Sequence, residues 1–176
     1  MKILWTHNWS PDQLPPLIQN TIKGLKEFNV QIDLECLGNL KSPNNLITKT
    51  KYLQEISSEY DLIHSQYGSM CGFLTSFVKN VPKIVTLHGS DFNINNGNFE
   101  YDNFHTRIAR FLTLNSLKRF SYTITVSERM KNEIQAINSD LRITVLPYPI
   151  DLRDFNPQDK TKSREVLNLP KEDILI

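Results

Sequence analysis

The sequence predicts an α/β protein in which helices cover a parallel β-sheet. Two observations support this fold class. Short apolar segments typical of strands alternate along the chain with segments in which apolar residues recur at helical spacing. In addition, residues 82–87 form a largely apolar run, as expected for a strand that is buried on both faces of a parallel sheet.

The first half of the chain contains four predicted strands, at residues 2–6, 30–37, 61–64 and 82–87. Between the first two, residues 14–25 place leucine and isoleucine at helical spacing, and Pro15 and Pro16 suit only a first helical turn. Residues 42–45 are rich in proline and asparagine and predict a loop. Further helices are predicted at residues 49–56 and 69–78.

The second half continues the alternation. Residues 93–98 predict a long loop rich in asparagine and glycine, and residues 104–120 a long helix. A β-branched strand at residues 122–126 is followed by Ser127, a suitable N-cap for the next helix. A sixth strand is expected at residues 142–146, a linker at 150–157, a short helix at 161–169 and a new strand from residue 173.

Composition and charge exclude several classes of protein. The 176 residues suit one domain, and 20 Lys+Arg against 19 Asp+Glu leave a net charge of +1, which argues against a nucleic-acid-binding protein. Cys36 and Cys71 lie in apolar segments without metal-ligand spacing, and we expect both in the core as reduced thiols. Because no run approaches the length of a membrane span, we expect a cytoplasmic protein without a cleaved signal.

Candidate functional residues follow the predicted strands. His88, Gly89 and Asp91 come directly after the fourth strand, where ligands of open α/β sheets collect. Gly89 permits a positive φ, while His88 and Asp91 provide a titratable ring and a carboxylate. Each has a structural alternative, because a strand-end histidine is often a packing residue and Asp91 would also cap the turn. Two metal ligands without a third make a weak metal site, so none is predicted.

His64 and Ser127 are further candidates at strand ends. His64 either faces the cleft together with Gln66 and Tyr67 or is a hydrogen-bonded strand end, and both alternatives stay open. Ser127 either contacts a ligand from a helix N-terminus or acts only as an N-cap, the simpler explanation.

Four segments, taken together, resemble a known family: residues 61–64 (DLIH), 86–91 (TLHGSD), 125–130 (TVSERM) and 146–157 (LPYPIDLRDFNP). In this order and spacing they are similar to the N-terminal domain of family 4 glycosyltransferases, retaining enzymes of GT-B fold. The resemblance implies a Rossmann-like three-layer domain over residues 1–149. Residues 150–176 would then be a linker and the start of a C-terminal, donor-binding domain that is missing here.

The resemblance also implies an activity, namely transfer of a hexosyl group from a nucleotide-sugar to a glycan or lipid-linked acceptor. The donor would be held mainly by the missing domain, and no cofactor is implied. His88 matches the family histidine that contacts the donor sugar, Asp91 a polar position near the acceptor, and Ser127 and Gly89 positions on the cleft. The chain alone is expected to be inactive.

One segment departs from the family pattern. Many members have a Gly-Gly turn after the first strand, where backbone N–H groups meet the donor phosphate, but residues 7–16 contain no glycine. Either this loop contacts a substrate through side chains such as Asn8 and Asp12, or it makes no phosphate contact. Tyr148-Pro149 likewise replaces the common Asn-Gly pair.

Two other functions compete with this one. A dinucleotide-dependent oxidoreductase would need a glycine-rich turn after the first strand, and its absence argues against that class. A non-catalytic binding domain, with the catalytic half supplied in trans, stays open. Weak membrane-surface contact is also considered, because Arg107, Arg110, Lys118 and Arg119 flank an apolar stripe at residues 104–112. The simpler explanation places that stripe in the core.

Overall fold

The computed structural model describes residues 1–9, 14–38, 40, 42–89, 104–153 and 155–171. Six parallel strands form one sheet in the order β2-β1-β3-β4-β5-β6. The strands are β1 (Lys2–His7), β2 (Gln31–Cys36), β3 (Leu62–Ser65), β4 (Lys83–Leu87), β5 (Tyr122–Thr125) and β6 (Ile143–Val145). The helices are α1 (Pro16–Glu27), α2 (Pro43–Ile56), α3 (Ser69–Ser76), α4 (Phe104–Leu117), α5 (Glu128–Ile137) and α6 (Lys160–Val166), with a 3₁₀ turn at Ser57–Glu59.

Helices cover both faces of the sheet, which makes the domain three-layered as predicted. On one face, Ile3 and Trp5 of β1 pack against Ile18 of α1. On the other face, two apolar clusters join the strands to α2 through α5, with Leu53 and Ile134 fully buried in them. None of the helices among the described residues is both long and apolar enough to cross a bilayer.

Several helix boundaries have a local cause. The oxygen of Ser127 accepts a hydrogen bond from the Met130 N–H, so the predicted N-cap is confirmed. The helix predicted from residue 49 begins instead at Pro43, because proline at the first helical position has a suitable φ and needs no N–H partner. The predicted loop at 42–45 is therefore wrong. The predicted loop at 93–98 and strand from 173 lie outside the described residues.

The stripe on α4 corrects a second expectation. Phe104 is 71%, Ile108 38% and Phe111 64% exposed, whereas Thr113, Ser116 and Leu117 provide the buried face of the helix. The apolar residues at the start of α4 are therefore not core residues. Of the two cysteines, Cys71 is buried as expected and Cys36 is only partly buried.

Helix α3 packs closely against the turn that joins it to β3 because it carries a glycine at the contact. A Cβ atom added to Gly72 would lie 2.8 Å from the carbonyl oxygen of Tyr67. At Gly24 of α1, by contrast, nothing lies within 4 Å of an added Cβ. The two helical glycines therefore differ in their steric surroundings.

We expect Gly72→Ala to lower the free energy of unfolding by about 1–3 kcal/mol, because backbone must shift to admit the methyl group. Gly24→Ala, the matched control, should raise it by about 0.5–1 kcal/mol through helix propensity. Urea unfolding followed by circular dichroism measures both. A Gly72→Ala protein as stable as the Gly24→Ala protein would contradict the close approach of α3.

Candidate functional site

The polar candidates meet at the carboxyl edge of the sheet. His7 ends β1, Gln66 follows β3, His88 follows β4 and Ser127 follows β5, so parallel pairing brings these positions to one edge. The chain leaves β1 toward β2 on one side and returns to β3 on the other side. This reversal makes the edge beside β1 a topological switch point, the usual ligand-binding position of open α/β sheets.

His88 lies between two aromatic side chains. Its ring centroid is 4.8 Å from that of Tyr67 and 5.8 Å from that of Tyr148, with the Tyr148 ring nearly parallel at 12°. His88 Nδ1 and Tyr148 Oη are 3.0 Å apart, a hydrogen-bonding distance. Trp9 meets the His88 ring edge-on at 6.2 Å. The imidazole is thus enclosed by aromatic residues from three different segments.

Gly89 directly follows His88 and has a φ of +107°, as the sequence predicted for this position. Because side chains other than hydrogen disfavour that backbone conformation, glycine allows the chain to turn out of β4 here.

His64 lies deeper in the sheet and is bonded on both ring nitrogens. Gln66 Nε2 donates to His64 Nδ1 at 3.2 Å, and because that amide nitrogen is a donor, the ring proton lies on Nε2. His64 Nε2 is 2.7 Å from Thr86 Oγ1. Trp5 contacts the His64 ring edge-on at 5.2 Å. His64 therefore supports the floor of the site and connects β3 with β4.

Burial keeps these histidines neutral. Desolvation lowers the pKa of His64 to about 3, and the nearby His88 adds to the effect. Desolvation also lowers the pKa of His88 to about 4, although a hydrogen bond with the Gln66 backbone acts in the opposite direction. The pKa of His7 is lowered by burial as well. At neutral pH, the His88 ring is therefore neutral, with a proton on one of its two nitrogens.

A cavity of about 70 Å³ lies beneath His88, between α1 and the segment that follows β6. Polar and aromatic side chains of the site line part of it: Trp5, His64, Gln66, Thr86, His88 and Tyr148. Pockets for small molecules usually have volumes of about 300–1,000 Å³. The cavity therefore admits water-sized groups but no ligand of nucleotide size.

Of the remaining predicted site residues, two lie in the described part of the chain and two do not. Asn8 is exposed at the end of β1, and Ser127 caps α5 with its side chain. Asp12 and Asp91 lie outside the described residues. Within the described part of the chain, no group of three or more His, Cys, Asp or Glu side chains is arranged to hold a metal ion.

The sequence does not single out Trp9 or Tyr148 as neighbours of His88, and it offers Tyr67 only as a companion of His64. Tyr67 and Trp9 each lie two residues beyond a strand end, which is the sequence signal that could have indicated them. Tyr148 stands out in the sequence only as a departure from the family pattern. Its contact with His88 joins residues 60 positions apart, and no sequence period indicates it.

Comparison with known proteins agrees with this geometry. The model of Glycosyltransferase Family 4 matches residues 6–154, and the chain therefore belongs to that family. Its fold is the Rossmann-like N-terminal half of a GT-B fold. No curated protein sequence matches the chain at a significant level.

Solved structures show the same fold at low identity. Alr3699/HepE of Anabaena, crystallised with UDP and glucose, has a TM-score of 0.58 and 18% identity over 96% of this chain and 50% of its own. The UDP-GlcNAc 2-epimerase of Methanocaldococcus jannaschii has a TM-score of 0.55 and 16% identity over 84% of this chain and 46% of its own. The chain thus spans about half the length of these structures.

The neutral histidines predict that stability depends on pH. The unfolded chain binds protons with a histidine pKa near 6.5, above the folded values of about 3 and about 4. Protonation therefore favours unfolding. The free energy of unfolding should have its full value above pH 6.5. Below pH 6.5 it should decrease by up to about 1.4 kcal/mol per pH unit for each histidine.

Urea unfolding between pH 7 and pH 4.5 tests this dependence. In His64→Gln the slope against pH should decrease by the contribution of one proton. His105→Gln, a change at an exposed position of α4, is the control and should leave the slope unaltered. A His64→Gln protein with the native slope would show that His64 is not buried in its neutral form.

Proposed function

We propose that this chain forms the acceptor-side half of a retaining glycosyltransferase that transfers a hexosyl group from a nucleotide-sugar to a glycan or lipid-linked saccharide. Membership of the family supports a glycosyltransferase of some kind. The observation that carries the proposal is the enclosed, neutral His88 ring at the switch-point edge of the sheet. HepE was crystallised with UDP, which makes a uridine diphosphate sugar the first donor class to test.

We propose that His88 contacts the sugar as positive charge develops on its reacting carbon. A neutral ring does not oppose that charge, whereas an imidazolium would repel it. Its aromatic neighbours limit rotation, so the donor or acceptor nitrogen is already oriented before the sugar arrives. Such preorganised polar groups are among the larger contributions to catalysis. Gly89, Asn8, Asp12, Asp91 and Ser127 remain proposed substrate contacts around it, and His64 a supporting residue beneath it.

The small cavity supports a cleft shared with a second domain. About 70 Å³ is enclosed by this half alone, so the diphosphate and base of a donor need another surface. We place the donor-binding half after residue 149, where the predicted linker begins. A domain that binds only an acceptor, with catalysis supplied in trans, is the alternative.

We expect His88→Ala, in the complete two-domain enzyme, to lower kcat and kcat/KM together by on the order of a hundredfold, as loss of a transition-state hydrogen bond does. The urea midpoint should change little. Transfer from a panel of nucleotide-sugars provides the rates, and His105→Ala is the control at an exposed position. Loss of stability with normal turnover of the remaining folded enzyme would make His88 a structural residue.

Residues 1–176 alone should neither turn over nor bind UDP-glucose tightly in isothermal titration. Sub-micromolar binding or turnover by this chain would contradict the shared cleft. If the isolated chain binds a saccharide acceptor but the two-domain protein transfers no sugar, the binding-domain alternative is correct.

We also propose weak contact between α4 and an anionic membrane surface, where a lipid-linked acceptor would reside. Phe104, Ile108 and Phe111 are exposed on this helix. Residues 104–119 carry four Lys or Arg and no Asp or Glu. Near the other end of α4, the Arg119 guanidinium lies 4.7 Å above the ring of the half-exposed Phe77. Exposed aromatic residues beside cationic side chains are typical of helices that lie on membrane surfaces.

Sedimentation with lipid vesicles tests this contact. We expect salt-sensitive binding to anionic vesicles that falls by about tenfold or more in the double variant Phe104→Ser, Phe111→Ser, because the apolar area available for insertion is lost. Phe28→Ser, at a 79% exposed position beyond α1, is the matched control. Equal binding to neutral and anionic vesicles would contradict the proposal.

A further inference from the structure

Trp9 is a partly exposed aromatic residue at the carboxyl edge of the sheet, two residues beyond β1. The ring that lies nearly parallel to its indole is that of His7, at 22° and with centroids 5.4 Å apart. Tyr67 and His88 meet the indole at 76° and 72° instead. The Trp9 backbone oxygen accepts a hydrogen bond of 3.0 Å from Cys36 Sγ. These contacts hold the indole in place while part of it stays exposed.

Two tyrosines extend the aromatic surface around Trp9. Tyr67 is partly exposed, and its ring centroid lies 5.3 Å from that of Trp9. Tyr148 is 41% exposed and stacks on His88. Trp5, the other tryptophan of the chain, is only 1% exposed and belongs to the core. Trp9, Tyr67 and Tyr148 thus form an aromatic rim around His88 that a ligand can reach.

The aromatic rim borders an uncharged surface. The described residues that line the adjoining cavity include no Asp, Glu, Lys or Arg, and burial keeps the histidines among them neutral. Glu35 acts electrostatically on His7, the ring stacked on Trp9, but Lys49 pairs with Glu35 at 3.0 Å. An anionic ligand would lose solvation here without gaining a cation from these groups, which is costly.

An uncharged hexopyranose matches such a surface. In a gluco-configured ring the hydroxyl groups are equatorial, so the axial C–H bonds form an apolar patch on each face of the sugar. These C–H bonds carry small positive partial charges and are attracted to the negative face of an aromatic ring, with dispersion adding to the attraction. A sugar that carries a carboxylate has the same faces but would bring its charge to the uncharged surface.

We propose that Trp9 is a specificity-determining residue of this site, whose indole stacks on the apolar face of an uncharged hexopyranose. The inference rests on the proposed function for the claim that the site meets a saccharide, and it adds which saccharides the site accepts. A sugar stacked on Trp9 would lie beside His88, because the two ring centroids are 6.2 Å apart.

NMR of this chain with methyl β-D-glucopyranoside tests the proposal without a donor. The chain has two tryptophans, and Trp9→Phe assigns their indole N–H signals. We expect the glucoside to shift the Trp9 signal and to leave that of the buried Trp5 in place. Saturation of the aromatic protons of the protein should transfer more strongly to the sugar protons on one ring face than on the other. An unmoved Trp9 signal, or equal transfer to both faces, would overturn the proposal.

Variants and a second sugar measure the contribution of the stack. Trp9→Leu should weaken glucoside binding by about fivefold, since the aromatic contact is lost, whereas Trp9→Phe should keep most of the affinity. Phe28→Leu, at a 79% exposed position beyond α1, is the matched control and should bind as the native protein does. Methyl β-D-glucuronide, which carries a carboxylate, should bind about tenfold more weakly than the glucoside.

Native affinity in Trp9→Leu, or equal affinity for the glucuronide and the glucoside, would also overturn the inference. If Trp9→Leu does not fold, the signals of the native protein and the comparison of the two sugars decide.

The two proposals fail separately. If the glucoside shifts the Trp9 signal but the two-domain enzyme transfers no hexosyl group, the stacking site holds and the proposed function is wrong. If the two-domain enzyme transfers sugar while the Trp9 signal is unmoved and Trp9→Leu keeps the native KM, the proposed function holds and the inference about Trp9 is wrong.

Discussion

The hydrogen bond of 2.7 Å between His64 Nε2 and Thr86 Oγ1 is the interaction on which the site depends. It joins β3 to β4 inside the sheet, directly below the positions where both strands end. Because Gln66 Nε2 bonds the other ring nitrogen, the same histidine also holds the first residue beyond β3. A charged His64 would have to be accommodated without solvent, so the fold requires it neutral. The surface beneath His88 is consequently rigid and uncharged.

Above this floor, the site is completed by side chains from separate parts of the chain. Trp9 follows β1, Tyr67 follows β3 and Tyr148 follows β6, and each contacts His88. Packing against these three rings restricts the His88 side chain.

The carboxyl edge of the sheet and helix α4 have different proposed roles. The carboxyl edge carries the neutral histidines, whereas α4, in the helical layer on the face opposite α1, presents exposed phenylalanines and cations. Which face of α4 is buried explains why the phenylalanines are exposed. Thr113, Ser116 and Leu117 of α4 form its buried face, whereas Phe104 and Phe111 lie on its exposed side. Helical spacing alone shows that a stripe exists but not which stripe faces inward.

The sequence by itself determined the α/β class, the order of the elements, the N-cap at Ser127, the turn at Gly89 and the family to which the chain is similar. These features depend on local periodicity, on the conformational preferences of single residues and on motifs along the chain, and the sequence contains all three. Only the tertiary structure decided that His64 is bonded on both ring nitrogens, that Tyr148 contacts His88 and that Phe104 and Phe111 are exposed. Those features depend on which residues distant in sequence become neighbours. Strand order and the path of the chain after β6 determine those neighbours. Both are established only when the whole chain is packed.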